Sequence, residues 1–155
     1  MTQPIPEGYH TLTPCLVVED GLAALDFYER AFGATVRRKL VMGGKLMFSE
    51  LQLGSSIFCV NDPGAGGEAQ SRAPEPGEAN PVGILIYVED ADALQERAEK
   101  AGATILNRVA DQFHGDRAGS LRDPFGHRWM LATHTEDMSE AEMQRRMEEA
   151  MAGST

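Results

Sequence analysis

The sequence predicts an α+β fold built from two consecutive βαβββ modules, and three observations predict it. The run VEDGLAALDFYERAFGAT at residues 18–35 is echoed by VEDADALQERAEKAGAT at residues 88–104. A β-branched run precedes each echo, TLTPCLVV at 11–18 and VGILIYV at 82–88, as strands prefer. Three extended runs divided by turn residues follow each echo. A period of about 70 residues, written twice, is too long and too few for a solenoid and reads as an internally duplicated domain.

The elements follow in order. Residues 11–18 form a first strand, with Pro14 suited to an edge or a strand start. Asp20 stands where a helix N-cap belongs, because its carboxylate can accept backbone N–H bonds. Ala24, Phe27, Tyr28, Ala31 and Phe32 recur at helical spacing, and Gly33 ends the helix through its access to positive φ. ATVRRKLVM, KLMFSELQL and SIFCV are strands, separated by turns at Gly43–Gly44 and Gly54–Ser55. PGAGGEAQSRAPEPGEANP, residues 63–81, has no periodicity and reads as a linker or as a functional lid. In the second module Asp90 caps a helix with Ala91, Leu94, Ala98 and Ala101 on one face, and Gly102 closes it one residue early relative to the first copy. ATILNRV at 103–109, RAGSLR at 117–122 and HRWMLAT at 127–133 are strands, the last two joined by Asp123-Pro124-Phe125-Gly126 in a type I pattern. The tail opens on a capping box, Ser139 with Glu142, and spaces Met143, Met147 and Met151 by four. That stripe is expected to pack on the protein's own core or on a second subunit. The modules thus span 11–62 and 82–134 of a single domain covering 1–155, with a C-terminal helix at 138–152.

Composition narrows the function classes. Fourteen basic against twenty-four acidic side chains give a formal charge of −10, which argues against nucleic acid as a partner. A cationic ligand is compatible with that charge, although an acidic surface accounts for it equally well. No apolar run reaches the roughly 18 residues that span a bilayer, so no membrane partner is expected. MTQPIPEGYH lacks a basic segment followed by an apolar core, so no secretory signal is expected. Cys15 and Cys59, each in an apolar run, read as buried free thiols of a cytoplasmic protein. No Gly-rich phosphate loop, CxxC, HExxH or GxSxG occurs.

Three stretches carry a family resemblance: GYHTLTPCLVVEDGLAALDFYERAFGA, DQFHGDRAGSLRDPFGHRWMLATH, and the EDMSEAEM that follows. Over roughly residues 7–150 the chain resembles the vicinal oxygen chelate superfamily of glyoxalases, extradiol dioxygenases, and fosfomycin and bleomycin resistance proteins. Within it the chain looks most like the PhnB-like subgroup. The resemblance implies curled mixed sheets around a cavity, the glyoxalase/bleomycin resistance fold, and a homodimer that shares units or sits side by side. In metal-using members four cavity-facing positions, typically His, Glu or Gln, hold a divalent ion that acts as a Lewis acid. Carried onto this chain, those positions are Thr13, Glu50, Gly83 and Met130. Only Glu50 is a strong ligand: a threonine hydroxyl is weak, glycine has no side chain, and a thioether suits soft ions alone. No metal ligand set and no cofactor is therefore expected, with a divalent metal as the alternative.

Other candidates surround that set. His10 or His114 joined to Glu50 is the remaining way to rebuild a site, since His127 and His134, seven apart, fall on opposite faces of a regular strand. His134 is expected to pair with Glu136 or Asp137. Glu50, flanked by Phe48 and Gln52 on the expected cavity face, serves as base, ligand or anchor; the competing reading pairs it with Arg117 or Arg128. Asp111, His114, Asp116 and Arg117 lie within seven residues, which fits a cavity-edge loop or a solvated connector. Two functions follow. One is a metal-free protein that sequesters a small cationic or aromatic molecule through Thr13, Phe48, Gln52, Gly83, His114, Arg117, Arg128 and Met130. The alternative is a metal-dependent lyase, isomerase or dioxygenase using Glu50 as its catalytic group.

Overall fold

Residues 2–65 and 71–154 are described by the computed structural model. The first module runs β1 (Cys15–Val17), α1 (Gly21–Phe32), β2 (Thr35–Met42), β3 (Lys45–Leu53) and β4 (Ser56–Asn61). The second runs β5 (Gly83–Tyr87), α2 (Ala91–Ala101), β6 (Thr104–Asp111), β7 (Asp116–Arg122) and β8 (Arg128–His134), and α3 (Glu140–Ala152) follows. The strand orders are β1-β4-β3-β2 and β5-β8-β7-β6, so the two sheets share one topology. In each, the first strand lies parallel to the fourth and the rest pair antiparallel. Register shifts in β2 and β6 curl both sheets. The α+β fold of two curled mixed sheets read from the sequence is therefore present.

The repeated segments nucleate equivalent helices. The carboxylates of Asp20 and Asp90 accept from Ala23 N at 3.1 Å and Ala93 N at 2.9 Å, satisfying N–H groups that a helix start leaves open. At the other ends Gly33 (φ 73°) and Gly102 (φ 118°) take the left-handed conformation that side-chain-bearing residues resist. The apolar stripe of α1 is buried as spaced. On α2, Leu94 is only half-buried, while Gln95 is buried and bonds Asn107 O and Val109 N across the irregular part of β6. The periodicity missed Gln95 because a polar residue inside an apolar face looks like an interruption until a bulged strand supplies its partners.

The modules join through α1 against α2 and through one continuous apolar core. Arg97 donates to Glu29 O and Arg30 O at the end of α1, and Arg30 donates to Ala101 O at the end of α2. Phe32 and Phe58 of the first module pack on Trp129 of the second, with ring centroids 4.9 and 5.6 Å apart. Beneath them the buried Asp123 carboxylate accepts from Tyr28 Oη at 2.6 Å, Trp129 Nε1 at 2.8 Å, and the backbone of Phe125 and His127. Burial first, and then Asp123, push the Tyr28 hydroxyl well above its ordinary pKa. Gly126 N closes the expected turn on Asp123 O at 3.2 Å. Asp62 performs the analogous task within the first module, bonding Gly21 N and Leu46 N.

One expectation is met only in part and another needs correction. Helix α3 buries no residue: Met143 and Met147 are half-buried and Met151 is exposed, while Arg146 ties the helix to Glu136 and also bonds Glu142 one turn back on the same helix. Within the chain the methionine stripe is thus covered only in part, and the Arg146–Glu136 ion pair adds to that hold. Cys15 is exposed, because the strand alternation that buries Leu16 turns its neighbour to the opposite face; Cys59 is buried. Of the expected 63–81 linker, residues 66–70 lie outside the described residues. Its later part packs on the second module, with Ala73 buried and Asn80 Nδ2 3.3 Å from His127 Nδ1.

Candidate functional site

Strand alternation gives each sheet one face under its helix and one face turned away. In the first module Leu51, Phe58 and Val60 enter the core, so Phe48, Glu50, Gln52 and Cys59 take the outer face. In the second, Trp129 and Leu131 enter the core, so Met130 and Ala132 face out with Leu85 and Tyr87 of β5 beside them. A hollow of about 690 Å³ lies on this second face, a size typical of small-molecule sites. Its wall includes Tyr87, His114, Asp116, Arg128, Met130 and Ser120.

The polar end of the hollow is a bonded chain. Asp116, 7% exposed, accepts from Tyr87 Oη at 2.7 Å and lies 2.7 Å from His134 Nδ1. His134 Nε2 lies 2.8 Å from Asp137, and His114 Nδ1 is 3.7 Å from Asp116. Burial pushes the Asp116 carboxyl up, but the bonds from His134 and Tyr87 outweigh it and hold the group below its ordinary pKa. The Asp137 and Asp116 carboxylates raise His134. The arrangement presents an ionised acceptor at the wall with its imidazole partner held by both nitrogens.

At the other end lies Arg128. Its guanidinium rests on Gly83: a Cβ there would stand 2.6 Å from Nη2. Among the described residues no carboxylate lies within ion-pair distance of Arg128, whereas Arg108 on the same wall pairs with Glu99. Arg128 is thus the uncompensated cation of this hollow.

The sequence candidates divide between the two faces. His114, Arg128 and Met130 line the hollow, and Gly83 supports it from below Arg128. Thr13, Phe48, Glu50 and Gln52 belong to the first module; Gln52 Nε2 bonds Gly54 O, and the Thr13 carbonyl accepts from the Cys15 thiol at 3.8 Å. Neither Arg128 nor Arg117 pairs with Glu50. Arg117 instead binds Asp92 and Asp111, because its neighbours Asp116 and Ala118 take the hollow and alternation sends it toward α2. Glu50 acts on the Tyr9 hydroxyl, whose pKa rises chiefly through burial and then through Glu50. His10 Nε2 meets Ser55 O and His127 Nε2 meets Val17 O, so these rings are scattered. A recess of about 440 Å³ between the modules is largely apolar and takes none of the candidates.

The strand registers also show which positions correspond between the modules. Met130 pairs with Leu85 and Ser120; the residue placed alike in the first module is Cys59, which pairs with Cys15 and Glu50. Glu50 therefore matches Ser120, one strand over. Sequence reasoning missed Cys59, Tyr87 and the Asp116–His134 pair; the first was discoverable by aligning the core aromatics Phe58 and Trp129 that precede each position.

The donor set does not fit a resident divalent ion. Among the described residues no group of three or more His, Cys, Asp or Glu side chains is arranged to hold one. Gly83 supplies no atom, and the Arg128 charge laid over it opposes a cation.

This duplicated architecture, with an open hollow on a curled sheet, defines a class of protein. The chain belongs to the Glyoxalase/Bleomycin resistance protein/Dioxygenase superfamily, whose model matches residues 9–131. An uncharacterized protein of Mycobacterium bovis is 39% identical over 140 residues, covering 88% of this chain and 91% of that protein. Among solved structures, TioX from Micromonospora sp. ML1 superimposes with a TM-score of 0.65 at 26% identity, covering 81% of this chain and 98% of TioX. A gene product of Arabidopsis thaliana does so at 0.61 and 29%, covering 80% and 98%. Lactoylglutathione lyase from Agrobacterium tumefaciens, at 0.58 and 21% over 84% and 96%, shares the fold.

Proposed function

We propose that this protein binds a small organic molecule bearing an anionic group, without a metal, in the hollow of the second module. The observation that carries this is the uncompensated Arg128 guanidinium lying over Gly83 at one end of that hollow. A planar guanidinium matches carboxylate or phosphate oxygens in pairs. Leu85, Tyr87 and Met130 supply an apolar and aromatic wall, and His114 and Asp116 the far polar end. The charge of the hollow thus favours an anion over the cation that net charge had suggested.

The reading extends to a homodimer of a PhnB-like, cytoplasmic protein. Leu40, Leu85 and Tyr87, 57%, 46% and 58% exposed, stand on outward sheet faces that a second copy would cover. Sedimentation would show the dimer. Ligand binding is tested by thermal shift against aromatic carboxylates, organophosphonates, antibiotics and α-ketoaldehydes, with and without divalent ions. Stabilisation that ignores divalent ions and disappears in Arg128→Ala supports the reading. Near-stoichiometric nickel, zinc, iron or manganese in untagged protein, with turnover that needs it, overturns it.

A second reading, an enzyme using Glu50 with a divalent metal, draws on that carboxylate's burial beside Tyr9 and Cys59. Turnover lost in Glu50→Ala and retained in Arg128→Ala would select it.

A further inference from the structure

Cys15 and Cys59 are registered partners on the parallel pair β1–β4, so their side chains leave one face of the sheet. Neighbouring strands run about 4.8 Å apart, inside the ~4.4–6.8 Å that Cα atoms of a disulfide span. Both are free thiols, one exposed and one buried, and the Cys15 sulfur is near enough to Cys59 to raise its pKa. Glu50 sits opposite Cys59 on β3, and both act electrostatically on the Tyr9 hydroxyl. The neighbours are thus polar but offer no competing thiol, and nothing in the small-molecule hollow depends on this pair.

We propose that Cys15 and Cys59 form a reversible dithiol–disulfide couple, with peroxide as the oxidant and a cellular thiol as the reductant. Exposure makes Cys15 the first target. Its thiolate attacks one peroxide oxygen, the O–O bond breaks, and Cys15 becomes a sulfenic acid as hydroxide leaves and takes up a proton. The Cys59 sulfur then attacks the Cys15 sulfur. The S–S bond forms, the S–O bond breaks, and the departing hydroxide takes the Cys59 proton as water. Two thiols and one hydrogen peroxide give one disulfide and two waters. A thiol reductant reverses the step by exchange. Burial, and then Cys15, push the Cys59 thiol up to about 11, so it waits protonated until its partner has been oxidised.

The test is peroxide titration of the full chain, followed by alkylation, intact mass and peptide mapping. Reduced protein should label at both cysteines under denaturing conditions. Oxidised protein should label at neither, weigh two hydrogens less, show a Cys15–Cys59 crosslinked peptide, and recover both labels with dithiothreitol. Cys59→Ser should accumulate a sulfenic acid at Cys15 that a dimedone probe traps, and Cys15→Ser should leave Cys59 resistant to the same peroxide. Peptide mapping of the wild-type chain decides the matter even if a variant misfolds. Both thiols surviving peroxide, a crosslink only between chains, or Cys15→Ser oxidised as fast as wild type would overturn the couple.

Discussion

The two modules share strand order, helix caps and parallel first-to-fourth pairing, yet their outward faces carry opposite chemistry. Across the first sheet the registered line reads Cys15, Cys59, Glu50. Across the second it reads Leu85, Met130, Ser120, with Arg128 and the Asp116–His134 pair at its ends. The shared topology rests on residues that face inward or cap helices: Asp20 and Asp90, Gly33 and Gly102, Phe58 and Trp129. Those positions answer to packing and backbone geometry, which both copies must satisfy. The outward faces answer to neither, so duplication leaves them free to diverge.

The largest effect should come from breaking what joins the copies. Asp123→Ala orphans the hydroxyl of Tyr28, the indole N–H of Trp129 and two backbone donors, and should cost about 3 kcal/mol or more in chemical denaturation. Asp62→Ala orphans two backbone donors within the first module and should cost less, on the order of 2 kcal/mol. Equal losses would mean that the inter-module clamp has no special weight.

Ligand affinity should separate the faces next. Arg128→Ala should weaken the ligand found by screening at least tenfold, about 1.4 kcal/mol, in calorimetric titration. Glu50→Ala should leave that affinity within twofold, and a reversed order would move the site to the first module. A smaller effect is expected from Gly83→Ala, whose methyl must displace the guanidinium: affinity falls severalfold while the melting temperature holds.

The smallest effect is a titration. His134 should titrate above the ordinary imidazole value of about 6.5, and Asp137→Asn should lower its midpoint in proton NMR. Because the folded pKa is the higher one, the stabilisation is complete below about 6.5 and fades as pH rises through the folded value. His134→Gln should flatten that part of the stability–pH curve; an unchanged curve would show the pair to be inert.

Much of the fold was legible because its signals are local. A capping aspartate, an apolar stripe at helical spacing and a closing glycine lie within one window of sequence, and they appear twice. Gln95 escaped because its partners sit on a strand bulge in another element. Arg117 was a cavity candidate because it belongs to the dense polar run 111–117, but a strand sends adjacent residues to opposite faces, and Arg117 turns away from the face that Asp116 takes. The competing reading paired Glu50 with Arg117 or Arg128, but the modules press helices together and leave Glu50 and these arginines on separate sheets.

By itself, then, the sequence determined the duplicated βαβββ plan, its helix ends, and the poverty of metal donors at the positions the family resemblance names. These depend on residue type and on spacings of a few residues. Only the tertiary structure decided that Cys59 stands in the first module where Met130 stands in the second, that Tyr87 and His134 converge on Asp116, and that Arg128 keeps its charge uncompensated over Gly83. Each of those facts is a meeting of residues far apart in the chain, and register and packing set such meetings where no local pattern records them.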